Sequence, residues 1–206
     1  MNIAYKTVAG ALLLIPTALL AIEEAEYELV ERSGDFELRD YATHIVAEVV
    51  VEEGMEDAGN TAFRTLYRYI SGNNTSKEKI AMTAPVGQRP AGEKIAMTAP
   101  VGQRQKDGAW AVSFMMPADY TLDTLPEPKN PAVKIREVPA RRMAAIEYSG
   151  FWSEKNYLEH KERLEKWISE KGLKATGSAE WARYDPPFKP WFLRRNEVLI
   201  PVERKD

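Results

Sequence analysis

With 206 residues, no cysteine and two histidines, the chain cannot hold a disulfide, a thiolate metal site, a thiol nucleophile or a three-histidine zinc centre. A net charge of −3 with no long Lys/Arg block argues against tracking a nucleic-acid backbone. The 44% hydrophobic and 29% charged residues are those of an ordinary globular protein with enough chain for a real core.

The chain begins with a basic lead, Lys6, and an uncharged apolar run over 7–22. This is the pattern of an export signal, with cleavage after Ala21, or of a membrane anchor when uncleaved. Pro16 in mid-run disfavours a buried core helix. The division expected is therefore 1–22 as signal peptide or anchor and 23–206 as one domain, with the protein exported to a periplasm or held at the membrane facing it.

The mature chain opens with Tyr27 to Arg32, a turn at Ser33-Gly34-Asp35, then Phe36 to Tyr41, which reads as a hairpin. Ile45, Ala47, Val49 and Val51 alternate with His44, Val46, Glu48 and Val50 as a further strand. Asp57 or Asn60 is the expected N-cap of a helix whose Phe63, Leu66, Tyr67 and Ile70 share a face, with Gly72 closing it. A twelve-residue stretch then occurs twice, EKIAMTAPVGQR at 78–89 and again at 93–104. Ile80, Met82, Ala84 and Val86, and likewise Ile95, Met97, Ala99 and Val101, alternate as inward residues of two adjacent strands of one hairpin. Pro85 and Pro100 mark a strand end, bulge or edge.

Trp110, Val112, Phe114 and Met116 continue the alternation up to Pro117, and Leu122 to Pro131 reads as an extended crossing loop. The second half repeats the plan. Strands near Val133 to Val138 and Arg142 to Tyr148 precede a helix begun at Ser153, with Tyr157, Leu158, Leu164, Trp167 and Ile168 apolar and Gly172 at its end. Strands near Trp181 to Tyr184 and Asn196 to Val202 finish it. Each half is strand–strand–helix–strand–strand. The fold class is α+β, a mostly antiparallel sheet or barrel with two helices packed on it.

Chemistry-bearing patterns are sparse. Neither histidine stands in a nucleophile-elbow context, and no phosphate loop, HExxH or acidic metal loop is present. Glu147 is one carboxylate that an enzyme could use if buried, or else a solvent-facing strand residue. Arg64 and Arg68 beside Phe63 and Tyr67 suit a flat apolar ligand bearing carboxylates, but equally a core face with a solvated flank. His44 offers an imidazole, and Met82 and Met97 offer thioethers, to a metal; surface placement and core filling are the plainer readings. His160, among charged neighbours, reads as a solvated helix residue.

KIAMTAPV resembles the hallmark of the SOUL haem-binding proteins, as do Phe36-Glu37-Leu38-Arg39-Asp40-Tyr41, Phe63 with Tyr69-Ile70-Ser71-Gly72-Asn73, and Tyr148-Ser149-Gly150-Phe151. Tyr184-Asp185-Pro186-Pro187 and Arg194-Arg195-Asn196-Glu197-Val198 are similar to that family's closing segment, so the motifs run in order over roughly 26–203. The resemblance implies a distorted antiparallel barrel of two ββαββ halves flanked by two helices. It also implies a non-enzymatic carrier or buffer of haem or a related tetrapyrrole, acting as a monomer. The ligand would lie in an apolar groove beside the first helix, formed with Phe63, Arg64, Tyr67, Arg68 and the Met82 strand, with Met97, Tyr41 and His44 as further candidates. Met82 is preferred over Met97 by its distance from the helix. Where some members have a proposed axial histidine between the Arg and Tyr of an Arg-x-Tyr segment, this chain has Asp40. The alternatives kept open are a small-molecule hydrolase using Glu147 and a generic module for amphipathic ligands.

Overall fold

The computed structural model describes residues 22–77 and 92–204. Ten strands form one sheet. They are β1 (Tyr27–Ser33), β2 (Phe36–Tyr41), β3 (His44–Val51), β4 (Val101–Lys106), β5 (Ala109–Met115), β6 (Lys134–Val138), β7 (Arg141–Tyr148), β8 (Leu173–Ala175), β9 (Glu180–Arg183) and β10 (Asn196–Arg204). Helices α1 (Met55–Ile70) and α2 (Glu154–Glu170) pack on it. The order β6-β3-β5-β4-β9-β10-β7-β2-β1 is antiparallel at every step, with β8 pairing β10 off this path.

The two-halves reading acquires a geometric form in that order. Exchanging β2 with β6, β3 with β7, β4 with β9 and β5 with β10 reverses the path from β6 to β2 onto itself. The pseudo-twofold passes between β4 and β9, paired through Gly102↔Ala182 and Gln103↔Trp181. The described pairings make an open path from β6 to β1 rather than a closed barrel.

Alternation along the strands sends one set of side chains under the helices. Ala47, Val49, Val112 and Phe114 meet Ala62, Leu66 and Ile70 of α1. Ala144, Ile146, Trp181, Val198 and Ile200 meet Tyr157, Leu164, Trp167 and Ile168 of α2. The other sheet face carries buried charge, Arg39 with Glu197 on one half and Glu48 with Arg104, Lys106 and Arg136 on the other.

Several local expectations hold. Gly34 takes φ +62° in the first hairpin turn, and Gly72, at φ +106°, ends α1 where Asn73 N donates to Arg68 O at 2.9 Å. The Ser153 hydroxyl caps α2 by accepting from Asn156 N at 3.3 Å. Ser153→Ala is expected to cost about 1 kcal/mol, read as a shift in the urea midpoint at unchanged slope.

Others are corrected. α1 begins after Gly54, not at Asp57 or Asn60; Asp57 lies in the first turn, where its charge complements the helix dipole, and Met55 and Ala58 are needed in the core. The buried stripe is Ala58, Ala62, Leu66, Tyr69 and Ile70, so Tyr67 stands off it and is 50% exposed, while Tyr69 donates to Pro126 O at 2.8 Å. Leu158 of α2 is likewise exposed. His160 is half-buried rather than solvated, its ring stacked on Tyr148 at 3.8 Å between centroids.

The first copy of the repeat lies outside the described residues, as does the apolar run up to Ala21. The second copy is not the uninterrupted strand expected. Thr98–Ala99 pairs parallel with Glu23–Glu24, Pro100 interrupts the ladder, and β4 starts only at Val101. Met97 is consequently turned outward and 39% exposed. Among the described residues no helix is long and apolar enough to cross a membrane.

Candidate functional site

A cavity of about 430 Å³ opens between α1, the second repeat copy and the segment after β9. That lies within the ~300–1,000 Å³ typical of small-molecule sites. α1 supplies Phe63, whose ring meets Phe114 edge-on at 5.3 Å, and the side-chain-free surface of Gly59. The repeat supplies Met97 and Val101. Trp152, held by its indole N–H donating to Asn196 Oδ1 at 2.8 Å, closes one side.

The outer wall is Tyr184 to Phe188. Three prolines in the 184–190 stretch limit its conformations, and Asp185 ties it down by accepting from Lys189 Nζ and Arg195 N, each at 2.6 Å. Arg194 Nε donates to Lys189 O at 2.8 Å. Phe188 is thereby presented at the rim, 86% exposed. Tyr184 is anchored through the sheet, its hydroxyl donating to buried Glu197 at 2.7 Å; burial, with Glu197 and Tyr41 beside it, pushes the phenol pKa well up.

Two charged side chains face this space, Asp185 and Arg183, and Arg183 is partly buried with its Nε shut off from solvent. Its guanidinium carbon lies 4.9 Å from the Trp181 ring centroid and 5.4 Å from that of Trp152. Nη2 donates to Gln103 Oε1 at 3.3 Å, while Nε is buried without a hydrogen-bond partner. Burial pulls its pKa down to about 10.

The eight candidate residues separate. Phe63 and Met97 line the cavity. Tyr67 stacks on Phe63 at 6.0 Å without reaching the lining. Arg64 and Arg68 are exposed on α1 and are likewise not part of it. Tyr41 and His44 belong to a different pocket, of about 50 Å³, with Glu24 and Arg141. His44 Nδ1 lies 3.0 Å from Ala42 O. Met82 lies outside the described residues. The preference for Met82 therefore has no counterpart here, whereas Met97 does occupy the groove.

Asp40 is engaged elsewhere, in a bidentate pair with Arg142 at 2.7 Å for each bond; those bonds lower its pKa. Glu147 is exposed, 3.7 Å from Arg195, and is not a buried carboxylate. No cluster of three or more His, Asp or Glu able to hold a metal occurs among the described residues.

Trp152, Arg183, Tyr184 and Phe188 were not singled out as ligand contacts from the sequence. Of these only Tyr184 stands in a motif, the Tyr-Asp-Pro-Pro run, which has no periodicity and says nothing of what it folds against.

The sequence profile of the SOUL heme-binding protein family matches residues 22–201. Heme-binding protein 1 of Mus musculus is 26% identical over 154 residues, covering 73% of this chain and 75% of that protein. Heme-binding protein 1 of Xenopus tropicalis is 26% identical over 181 residues, covering 87% and 82%. Among solved structures, the C-terminal domain of EcmrR shares the fold with a TM-score of 0.56 at 14% identity, covering 86% of this chain and 98% of that one.

Proposed function

The chain belongs to the SOUL heme-binding protein family, and from that premise we propose that it binds haem or a related tetrapyrrole non-enzymatically in the groove beside α1. The observation that carries this is the cavity itself. It is large, faced by Phe63, Met97, Trp152 and Phe188, and bounded by the second KIAMTAPV copy and the Tyr184–Phe188 segment. Those residues suit the faces of a flat macrocycle, which aromatic and thioether groups contact without demanding directional bonds.

Neither histidine faces the groove, so affinity rests on apolar burial and on charge rather than on imidazole ligation. Removing roughly 300 Å² of ligand surface from water contributes about 7 kcal/mol before the costs of binding. Because association costs offset part of that, a micromolar Kd, about −8 kcal/mol, requires both faces of the macrocycle to be covered and its charge to be paired. That is the strength suited to a carrier or buffer that must also release its cargo. The apolar run at 7–22 supports an exported or membrane-attached location for this activity.

The expected result of titrating the protein with hemin is a saturable change in the Soret band at micromolar concentration. It should be unaffected by His44→Ala and weakened by Phe63→Ala. A linear, non-saturating response would refute the proposal.

A further inference from the structure

Arg183, partly buried with its Nε closed off from solvent, differs from the other buried and partly buried charges described on the sheet. Arg39 has Glu37 and Glu197; Glu48 has Arg104, Lys106 and Arg136; Arg141 has Glu180. No carboxylate of a described residue pairs with Arg183, and Asp185, two positions on, is committed to Lys189 and to Arg195 N. Taking an ion out of water costs several kcal/mol. The Trp181 face, and that of Trp152, which Arg194 shares at 4.6 Å, return only part of that by cation–π attraction. One 3.3 Å bond to a neutral amide adds little. The arrangement lacks an anion.

Arg183 faces the cavity, and so does the neighbouring stretch of α1, which comes down onto the guanidinium at Gly59. A Cβ there would stand 2.9 Å from Gln103 Oε1 and 3.1 and 3.2 Å from the two Nη atoms of Arg183. A glycine inside a helix is destabilising relative to alanine, and this close approach is its reason.

We propose that Arg183 is the seat for a carboxylate carried by the ligand, so that the groove selects flat apolar molecules bearing an acid group, with or without a metal. This rests on the groove being the binding site and sharpens it. The acid group enters toward the sheet, against β9, and the apolar body lies outward between Phe63 and Phe188. Arg64 and Arg68, exposed on the flank of α1, are not the seat.

The test uses the full chain and two pairs of probes: metal-free protoporphyrin IX with its dimethyl ester, and pyrenebutyric acid with its methyl ester, all followed by fluorescence. Arg183→Met is expected to weaken both acids at least about tenfold, as loss of a charge-assisted hydrogen bond does, and to leave the esters unchanged. Arg183→Lys should recover part of the loss, and Arg64→Gln with Arg68→Gln should change acid binding less than about twofold. Without ligand, Arg183→Met should hold or raise the Tm, because it removes a partly buried charge that has no carboxylate partner.

Acid-selective loss for pyrenebutyrate without porphyrin binding would support the seat while refuting the tetrapyrrole reading. Porphyrin binding that is indifferent to Arg183, or equal losses for acid and ester, would overturn the seat and spare that reading. A lowered Tm with acid binding intact would assign Arg183 to the fold and overturn the proposal. Binding of neither acid to the wild type would overturn both.

Discussion

Replacing Arg39 by methionine is expected to destabilise the protein by about 3–5 kcal/mol, the range found when one partner of a buried ion pair is removed. Arg39 is 2% exposed, and Glu197 is fully buried. Their bond is bidentate, Nη1 to Oε2 at 2.8 Å and Nη2 to Oε1 at 3.0 Å, and Nε reaches Glu37 at 2.5 Å. The variant strands a carboxylate in the interior with only the Tyr184 hydroxyl at 2.7 Å and the half-exposed Arg195 at 3.2 Å to compensate it. Adding Glu197→Leu to Arg39→Met should restore much of the loss, because the cost comes from an unpaired charge rather than from missing volume. Urea unfolding of the two single variants and the double variant checks this. A double variant no better than Arg39→Met would refute it.

The same network sets the acid limit of the fold. Burial pushes the Glu197 carboxyl up, but bonds from Arg39 and Tyr184 and the charge of Arg195 outweigh it and hold the pKa below the usual carboxylate value. For Glu48, burial is likewise outweighed by hydrogen bonds from Arg136 and Lys106 and by the charge of Arg104, bringing its pKa down to about 2. A carboxyl depressed on folding contributes stability above its unfolded pKa of roughly 4.3 and loses it as pH falls through the folded value. Stability should therefore be flat near neutrality and decline from about pH 4.5 toward 2. In Arg39→Met that acid slope should be shallower, since Glu197 has less to lose.

Trp181→Ala is the second large effect, an expected loss of about 3–5 kcal/mol. Trp181 is 1% exposed, heads the fully buried side chains by volume, and stands in β9 beside the pseudo-twofold, opposite Gln103 and Val198. It lies 6.0 Å from the Tyr157 ring and under the Arg183 guanidinium. Because β4, β10 and α2 all meet there, the surroundings cannot collapse into the space left behind, which is the condition for a cost at the upper end. Acid binding in the groove should weaken together with stability, since Arg183 loses one of the two rings that orient it. Unfolding by urea and protoporphyrin titration of the same sample read both. Full stability with weakened binding would contradict this account of Trp181 as a core element.

What was legible in the chain was local. Alternation identified most main strands, because a half-buried strand must present apolar residues every second position. Ser153, Gly72 and Gly172 marked helix ends because caps obey short-range stereochemistry. The doubled ββαββ plan followed from element order, and the motif series pointed to the family that the match over 22–201 bears out.

The errors fell where long-range packing overruled a local pattern. Tyr67 had the right spacing for the core face, but the sheet under α1 took Tyr69 instead. The repeat looked like a strand until Pro100 and the parallel contact with Glu23–Glu24 broke it. His160 was read from its charged neighbours, whereas Tyr148 of another strand decided its surroundings.

By itself, then, the sequence determined the α+β class, the pairing of halves and the family, all consequences of period, capping and motif order. Only the tertiary structure decided which charges are compensated. Whether a guanidinium has a carboxylate depends on side chains distant in the chain, such as Arg39 and Glu197, 158 residues apart. It likewise left Arg183 between two tryptophans with none.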